Sequence, residues 1–369
     1  NWGICAGSWP FDAGAKLVSC PAVFEVGGDL YIAAAYADGG LRAISPSGTA
    51  EILPYFLGDG RRFVGNLVIE RSDEGRATGI FAIIASGGTD GVSLERFLIE
   101  GGAVVPDLGY DLEIPLAASK IEGRIALLGG DLDPAAPGTE LCLVAMDSGT
   151  IIFCGGDGVI SRRELGAPVA FTPSLQDMNG DTYTDLVSTD GTFINVIGTS
   201  GANITGWPRN INELFVLPAP VRISAPPTTA VSQKGAWITA GTDAGLLFIL
   251  DGGGGLVPGY PKRIASSFDQ AVTISDRGGE PVYSFVDAIY NEGINPFYDF
   301  RPASGSVKWR LGPFEGLDAE RSWTTPLGDA GRTAFAPASA GFGGPAADWR
   351  LAGDDLVIYP NPSRDGEVG

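Results

Sequence analysis

Residues 169–196 read VAFTPSLQDMNGDTYTDLVSTDGTFINV, and this stretch decides the fold because two turns separate three strand-like segments. The first turn carries oxygen-bearing side chains at alternate positions, in Asp177, Asn179 and Asp181, and again in Asp185. Gly180 lets the backbone turn sharply between them. Calcium takes about six to eight oxygen ligands at roughly 2.3–2.6 Å, which suits this spacing. We therefore predict a calcium loop at a hairpin tip.

The alternative for this loop is an acidic turn without a metal, since Asp, Asn and Gly are common turn formers. Three Asp and one Asn at this spacing favour calcium, because without a cation the carboxylates repel one another. Strand-like runs flank the loop on both sides, so it is not an EF-hand. Calcium in such a loop stabilises a fold, and we predict no catalytic residue there.

The composition predicts an all-β protein. The chain has 369 residues with 55 Gly and 26 Pro, yet 44 % of its residues are hydrophobic. Many Gly and Pro turns between short apolar runs are typical of β-sandwiches, barrels and propellers. No apolar run approaches the roughly 18–20 residues of a membrane helix, so we expect no membrane span.

The charge excludes some functions. The formal net charge of −20 makes nucleic-acid binding improbable, because no basic face is available to replace counterions on phosphate. The chain contains no His, which removes Ser-His-Asp and Cys-His catalysis and His-ligated zinc. An enzyme here would depend on carboxylates, Tyr, Lys or an oxygen-held metal.

Turns recur at a regular spacing along the chain. Asp-Gly or Asp-x-Gly turns stand about 43–57 residues apart, in the range of propeller blades. An earlier turn precedes each by about twelve residues, and an apolar strand lies between the two. The later turns are Asp38-Gly39, Asp90-Gly91, Asp147 to Gly149, Asp190-Gly191 and Asp243 to Gly245. The earlier turns are Gly27-Gly28, Ser72 to Gly75, Asp131 to Gly138, Asp177 to Asp185 and Gln233 to Gly235.

Two weaker copies follow at Asp276 to Gly279 and Gly328 to Gly331, and Gly-aromatic-Pro closes two units, at Gly206 to Pro208 and Gly259 to Pro261. We predict a seven-bladed β-propeller of four-stranded antiparallel blades over residues 1–358. The N-terminal strand near Ser8-Trp9-Pro10 would close its ring. Two β-sandwiches are the alternative architecture.

The loop and its repeat resemble the FG-GAP or VCBS repeats of integrin-α-like propellers. Those repeats place an Asp-x-Asn-Gly-Asp-x-x-x-Asp loop between the first two strands of a blade. The resemblance implies side-chain ligands from Asp177, Asn179, Asp181 and Asp185 and a carbonyl ligand from Tyr183. The specific motif is complete only once in the chain.

The preceding unit carries a weaker candidate calcium loop. Asp131 and Asp133 keep the first two carboxylates, and Glu140 follows after an insertion. We treat these residues as a second, weaker site.

Four cysteines suggest an oxidising compartment. If Met146 faces Thr150 in a hairpin, Cys142 lies opposite Cys154 at disulfide distance. Cys5 and Cys20 would then form the other bond, which would place the protein outside the cytoplasm. The alternative for Cys142 and Cys154 is two buried thiols.

The C-terminal segment Asp354 to Gly366, with Tyr359-Pro-Asn-Pro362, is similar to the start of type IX secretion sorting domains and of FlgD-like immunoglobulin domains. This resemblance implies that residues 359–369 begin a further domain or a linker, and that the protein is exported to the surface of a diderm bacterium. A first residue other than Met agrees with removal of a signal peptide. A Pro-rich tail after the last strand is the alternative.

Two functional hypotheses follow. The first is a non-enzymatic, calcium-stabilised surface protein that binds other surface proteins or glycans as an adhesin, scaffold or subunit of an extracellular assembly. The second is a carbohydrate-active propeller that uses paired carboxylates. A quinone-dependent propeller is disfavoured, because only one degraded copy of its repeat occurs, at Phe300 to Trp309.

Overall fold

The computed structural model describes residues 14–26, 29–45, 51–58, 60–71, 77–86, 91–100, 103–116, 123–132, 139–156, 158–217, 219–232, 235–265, 267–268, 271–276, 281–289, 303–310, 335–336 and 356–359. Within these ranges the chain consists of strands and turns without helices, so no helix there is long and apolar enough to cross a membrane. The chain forms two compact units. One contains Asn1–Val169, Thr199–Ala202 and Leu327–Ala338, and the other contains Ala170–Gly198, Asn203–Pro326 and Ser339–Gly369.

The first unit contains three antiparallel meanders of four strands each. The first sheet has β1 (Ala22–Val26), β2 (Asp29–Ala35), β3 (Gly40–Ile44) and β4 (Glu51–Phe56). The second has β5 (Arg61–Arg71), β6 (Ala77–Ser86), β7 (Val92–Glu100) and β8 (Ala103–Ile114). The third has β9 (Ile125–Gly130), β10 (Glu140–Ala145), β11 (Thr150–Gly155) and β12 (Gly158–Glu164).

The second unit repeats the same arrangement in three further sheets. The fourth sheet has β13 (Ser174–Gln176), β14 (Asp185–Thr189), β15 (Phe193–Ile197) and β16 (Arg209–Asn210). The fifth has β17 (Thr228–Ser232), β18 (Gly235–Gly241), β19 (Leu246–Asp251) and β20 (Lys262–Arg263). The sixth has β21 (Thr273–Asp276), β22 (Pro281–Ile289), β23 (Ala303–Arg310) and, last in chain order, β25 (Leu356–Tyr359).

The predicted turns fall between strands as expected. The earlier turn of each of the first five units joins the first two strands of a sheet, and the later turn joins the second and third. Asp and Gly form these turns. Glycine adopts positive φ there, at positions such as Gly39, Gly149 and Gly245. An all-β chain built from four-stranded antiparallel sheets is therefore confirmed. Seven blades and a closed ring remain predictions, and Ser8 to Pro10 lies outside the described residues.

Two segments near the C-terminus pair differently from the predicted seventh unit. Phe335–Ala336, β24, lies parallel to the free edge of β9, so it extends the third sheet. Leu356–Tyr359 pairs with β23 and completes the sixth sheet. Part of the segment that resembles a sorting domain is therefore a strand of a meander. The edge of β9 is open because β9 is the first strand of its meander, and a short parallel strand can pair there.

The first five sheets have buried apolar side chains on both faces. In β18, Trp237 packs in a core with Leu247 and Ile249, whereas its neighbour Ile238 packs in a second core with Leu250. Successive residues of a strand point to opposite faces, so the fifth sheet is buried on both sides. Such a sheet requires a neighbouring sheet against each face.

The Gly-aromatic-Pro segment Gly206 to Pro208 links the fourth and fifth sheets. Trp207 precedes β16, is nearly buried, and donates a hydrogen bond from its indole Nε1 to the carbonyl oxygen of Gly252 at 2.9 Å. Gly252 follows β19, and a Cβ placed there would lie 2.2 Å from the carbonyl oxygen of Met178. The fifth sheet therefore contacts the loop of the fourth sheet at a position that accepts only glycine.

We predict that Gly252→Ala lowers the free energy of unfolding by about 1–3 kcal/mol, because the added methyl group displaces the Met178 carbonyl. Gly253→Ala is the matched control, since a Cβ there meets only Asp251 Oδ1, at 3.5 Å. Urea denaturation of the two variants measures the difference. Equal destabilisation by both substitutions would contradict the close contact.

Candidate calcium-binding loop

The predicted calcium loop connects β13 to β14 in the fourth sheet. The strands close on the pair Gln176↔Asp185, so the last residue before the loop faces its ninth residue. Met178 anchors the loop from inside, because its side chain is 2 % exposed and packs in the core with Val187 and Ile238. The predicted ligands Asp177, Asn179, Asp181, Tyr183 and Asp185 thus belong to one short hairpin loop.

Asp177 organises the first half of the loop. Its side chain is buried, Oδ1 accepts a hydrogen bond from the Gly180 main-chain N–H at 2.7 Å, and Oδ2 accepts one from Thr182 at 3.0 Å. These bonds hold two backbone positions with positive φ, Gly180 at 81° and Thr182 at 84°. Positive φ is unfavourable for a β-branched residue, so the Asp177 carboxylate stabilises a strained turn at Thr182.

Asn179 and Asp181 form the outer part of the loop. Asn179 Oδ1 accepts a hydrogen bond from the Asp181 main-chain N–H at 2.8 Å, and Asp181 Oδ1 accepts one from Tyr183 at 2.9 Å. The Asn179 amide Nδ2 donates to Asp181 Oδ2 at 2.9 Å. Each bond reaches two residues along the chain, which keeps both side chains turned back toward the loop.

Asp185 is the buried carboxyl group of the loop. It is 3 % exposed, and its Oδ2 accepts a hydrogen bond from the Met178 main-chain N–H at 3.1 Å. Burial raises the pKa of Asp185 to about 7; the Met178 N–H opposes this change, and the charges of Asp181 and Asp177 add to it. Burial thus favours the protonated form of Asp185, and a cation nearby would favour its carboxylate form.

The donor set fits calcium. The loop offers carboxylate, amide and carbonyl oxygens, the ligands of a hard cation. One further oxygen stands beside them: Gln176 is 2 % exposed, and its Oε1 has no hydrogen-bond partner in the structure. Among the described residues no three acidic, Cys or His side chains already converge as a ligand group. Asp177, Asn179, Asp181 and Asp185 would hold the ion with the Tyr183 carbonyl.

The weaker loop between β9 and β10 shows a different arrangement. Glu140 is buried and its Oε2 accepts a hydrogen bond from the Leu132 main-chain N–H at 2.8 Å. Asp131 lies at the start of this loop, and Asp133 falls outside the described residues. The Glu140 carboxylate thus connects the start of β10 to the residues that follow β9.

The predicted disulfide register is wrong by one residue. Ala145 pairs with Thr150, so Leu141 faces Cys154 and Cys142 faces Phe153. The cause is Met146, whose N–H donates to the Arg124 carbonyl and therefore does not pair with Thr150.

Cys142 and Cys154 consequently point to opposite faces of the sheet and are free, buried thiols. Burial raises the pKa of Cys154 to about 12 and raises that of Cys142 as well. Cys20 is a free, exposed thiol, and its predicted partner Cys5 lies outside the described residues.

Sequence patterns missed a cleft in the first unit. Glu95 on β7 stands opposite Asp111 on β8, in a cleft of about 560 Å³ beside Tyr55 and Tyr110. Glu95 is paired with Arg61, so its carboxylate is held by a permanent positive charge and is poorly placed as a general acid or base. The sequence feature that could have indicated this cleft is the set of acidic residues at alternate positions within 107–113.

No protein-family model matches the chain, and no curated protein matches it either. Among solved structures, the WD40 domain of SCAP from fission yeast is 12 % identical, with 83 % of this chain and 69 % of that chain covered and a TM-score of 0.48. BamB from Moraxella catarrhalis is 14 % identical, with 85 % and 86 % covered and a TM-score of 0.44. The V. cholerae biofilm matrix protein Bap1 is 14 % identical, with 77 % and 48 % covered and a TM-score of 0.42. Likenesses of this strength carry no conclusion about function.

The raised pKa of Asp185 predicts how pH affects the metal-free protein. The folded chain holds the Asp185 proton more tightly than the unfolded chain, whose carboxyl titrates near 3.8. The stability contributed by this proton is therefore lost as pH rises from about 4 to about 7. In EGTA, we expect the Tm advantage of Asp185→Asn over the wild type to grow across this range. Asp243→Asn, in another turn, is the control. An advantage independent of pH would contradict the assignment.

Proposed function

We propose that this protein is an exported, calcium-stabilised β-propeller that acts without catalysis, as an adhesin, scaffold or assembly subunit at the surface of a diderm bacterium. The observation that carries the proposal is the 177–185 loop, where four side chains with oxygen donors lie in one hairpin and Asp185 is buried. The proposed binding partners of the protein are other surface proteins or glycans.

Calcium would act on stability. Bound between the Asp177, Asp181 and Asp185 carboxylates, the ion would offset their mutual repulsion and the cost of burying Asp185. Met178 links the loop to the shared core of the fourth and fifth sheets, so order in the loop would extend to both.

The blade count belongs to the same proposal. Six antiparallel meanders of four strands occur in the described residues, and the sequence carries a seventh copy of the turn pattern at Gly328 to Gly331. A seventh blade closed by the N-terminal strand would cover the apolar faces that end sheets otherwise expose. Export is supported by the resemblance of the Tyr359 to Pro362 segment to the start of sorting domains.

Calcium removal is the direct test of the loop. We expect EGTA to lower the Tm of the wild type by several degrees at neutral pH, and added calcium to restore it. Asp181→Ala should abolish the calcium response, whereas Glu213→Gln, which removes an exposed charge outside the loop, should retain it. A wild-type Tm that is the same in EGTA and in calcium would refute the metal assignment.

Location and interaction are tested on cells. An epitope-tagged chain expressed in a diderm host with a type IX secretion system should be degraded when intact cells are treated with protease. Chemical cross-linking on the same cells should give discrete products with surface components. Protection from protease on intact cells, with digestion after lysis, would contradict export.

A further inference from the structure

A cleft in the first unit is lined by residues of two outer strands, β4 and β8. β4 and β8 are joined by one parallel pair, Leu53↔Ala103, and by no other registered pair in the described residues. The cleft has a volume of about 560 Å³ and is lined by residues of β4, β5, β6, β7 and β8. Its lining includes Tyr55, Arg61, Glu95, Tyr110, Asp111 and Glu113.

Residues of β8 line this cleft, and one edge of this strand is open. One edge of β8 pairs with β7 from Val92↔Ile114 to Glu100↔Ala103, with a bulge between Glu95 and Phe97. The other edge carries no strand beyond Ala103 within the part of the chain that the structure describes. Alternate main-chain N–H and C=O groups on this edge of β8 therefore have no strand partner there, and an extended peptide can pair with them.

The charges on this edge are unbalanced. Arg61 is paired with Glu95, and Arg96 is paired with Glu70 and Asp107, so both guanidinium groups are neutralised. Asp111 and Glu113 are exposed and form no ion pair among the described residues. A third guanidinium, that of Arg162, donates to the Pro115 carbonyl oxygen near the end of this edge and is itself paired with Glu164. The edge thus presents two carboxylates that form no ion pair in the described part of the chain.

These two carboxylates have a fixed spacing. Asp111 faces Glu95 and Glu113 faces Ser93, so both point to the same face of the sheet, one residue apart in a strand of period two. A strand added to the outer edge of β8 would place its own residues opposite them at the same spacing.

The aromatic side chains of the cleft do not favour a sugar. The Tyr55 ring contacts Phe97 with centroids 5.2 Å apart, and the Tyr110 ring contacts Phe81 at 5.1 Å. Both rings are engaged by the core, whereas sugar binding depends on open aromatic faces. Leu108, by contrast, is 91 % exposed in the bulge of β8 and offers an apolar contact beside the charges.

We propose that this cleft binds an extended basic segment of a partner protein, which adds a strand to the outer edge of β8 and places two basic side chains, two residues apart, opposite Asp111 and Glu113. The inference rests on the proposed interaction role and names the chemistry of a partner. It does not involve the calcium loop.

A synthetic peptide of about eight residues that alternates lysine and valine tests the proposal, since strand addition requires this spacing. Binding of the fluorescently labelled peptide is measured by anisotropy. We expect the Asp111→Asn, Glu113→Gln double variant to weaken binding by about tenfold, as two opposite-charge pairs are lost. Both side chains are exposed, so the variant should keep the wild-type Tm.

Three controls separate strand addition from general attraction to an acidic protein. The Glu25→Gln, Asp29→Asn variant removes two exposed charges from β1 and β2 and should bind as the wild type does. A peptide of the same composition with its lysines in one block should bind more weakly. N-methylation of alternate peptide nitrogens, in one of the two possible phases, should abolish binding with the charge unchanged.

Equal weakening by both double variants, or indifference to lysine order and N-methylation, would overturn the proposal. Binding of neutral oligosaccharides that depends on Asp111 would also overturn it, in favour of a glycan site. Failure of peptide binding would leave the EGTA response of the Tm unaffected, so the two proposals fail separately.

Discussion

The structure depends on sheets that are apolar on both faces. In β18 and β19, neighbouring residues enter different cores: Trp237 and Ile249 lie in one, and Ile238 and Leu250 lie in the other. A four-stranded meander of this kind is unstable alone, because both of its apolar faces would remain in water. Stacking of successive meanders removes that surface, and polar contacts then fix the spacing. Buried Asn66 of β5 illustrates this by bonding both main-chain groups of Leu127 in β9, at 2.9 and 2.8 Å.

Local chemistry explains why the turns were predictable. An Asp-Gly pair specifies its own bend, as at Asp38, whose Oδ1 accepts a hydrogen bond from the Gly40 N–H. The register of a hairpin also depends on residues that are distant in sequence. The position of Cys142 depended on whether Met146 pairs with Thr150 or with Arg124, which is distant in sequence. A slip of one residue moved the two thiols to opposite faces.

In the candidate site, too, some features depend on local sequence and others on the pairing of strands. The proposed ligand positions of 177–185 could be recognised in the sequence, because calcium requires oxygens at short, regular intervals in one loop. The unpartnered Gln176 oxygen could not, because its significance comes from the register that sets it opposite Asp185. The cleft beside β8 could not be predicted from the sequence for a related reason. It depends on β4 and β8 pairing at one position only. No single segment contains that information.

Equilibrium dialysis with radioactive calcium tests the central claim most directly, because it measures the ion itself. We expect saturable, high-affinity binding of calcium at the 177–185 loop at neutral pH, and loss of that binding in Asp177→Asn, which removes the carboxylate that holds the Gly180 and Thr182 amides. Absence of saturable binding in the wild type, or unchanged binding in the variant, would contradict it.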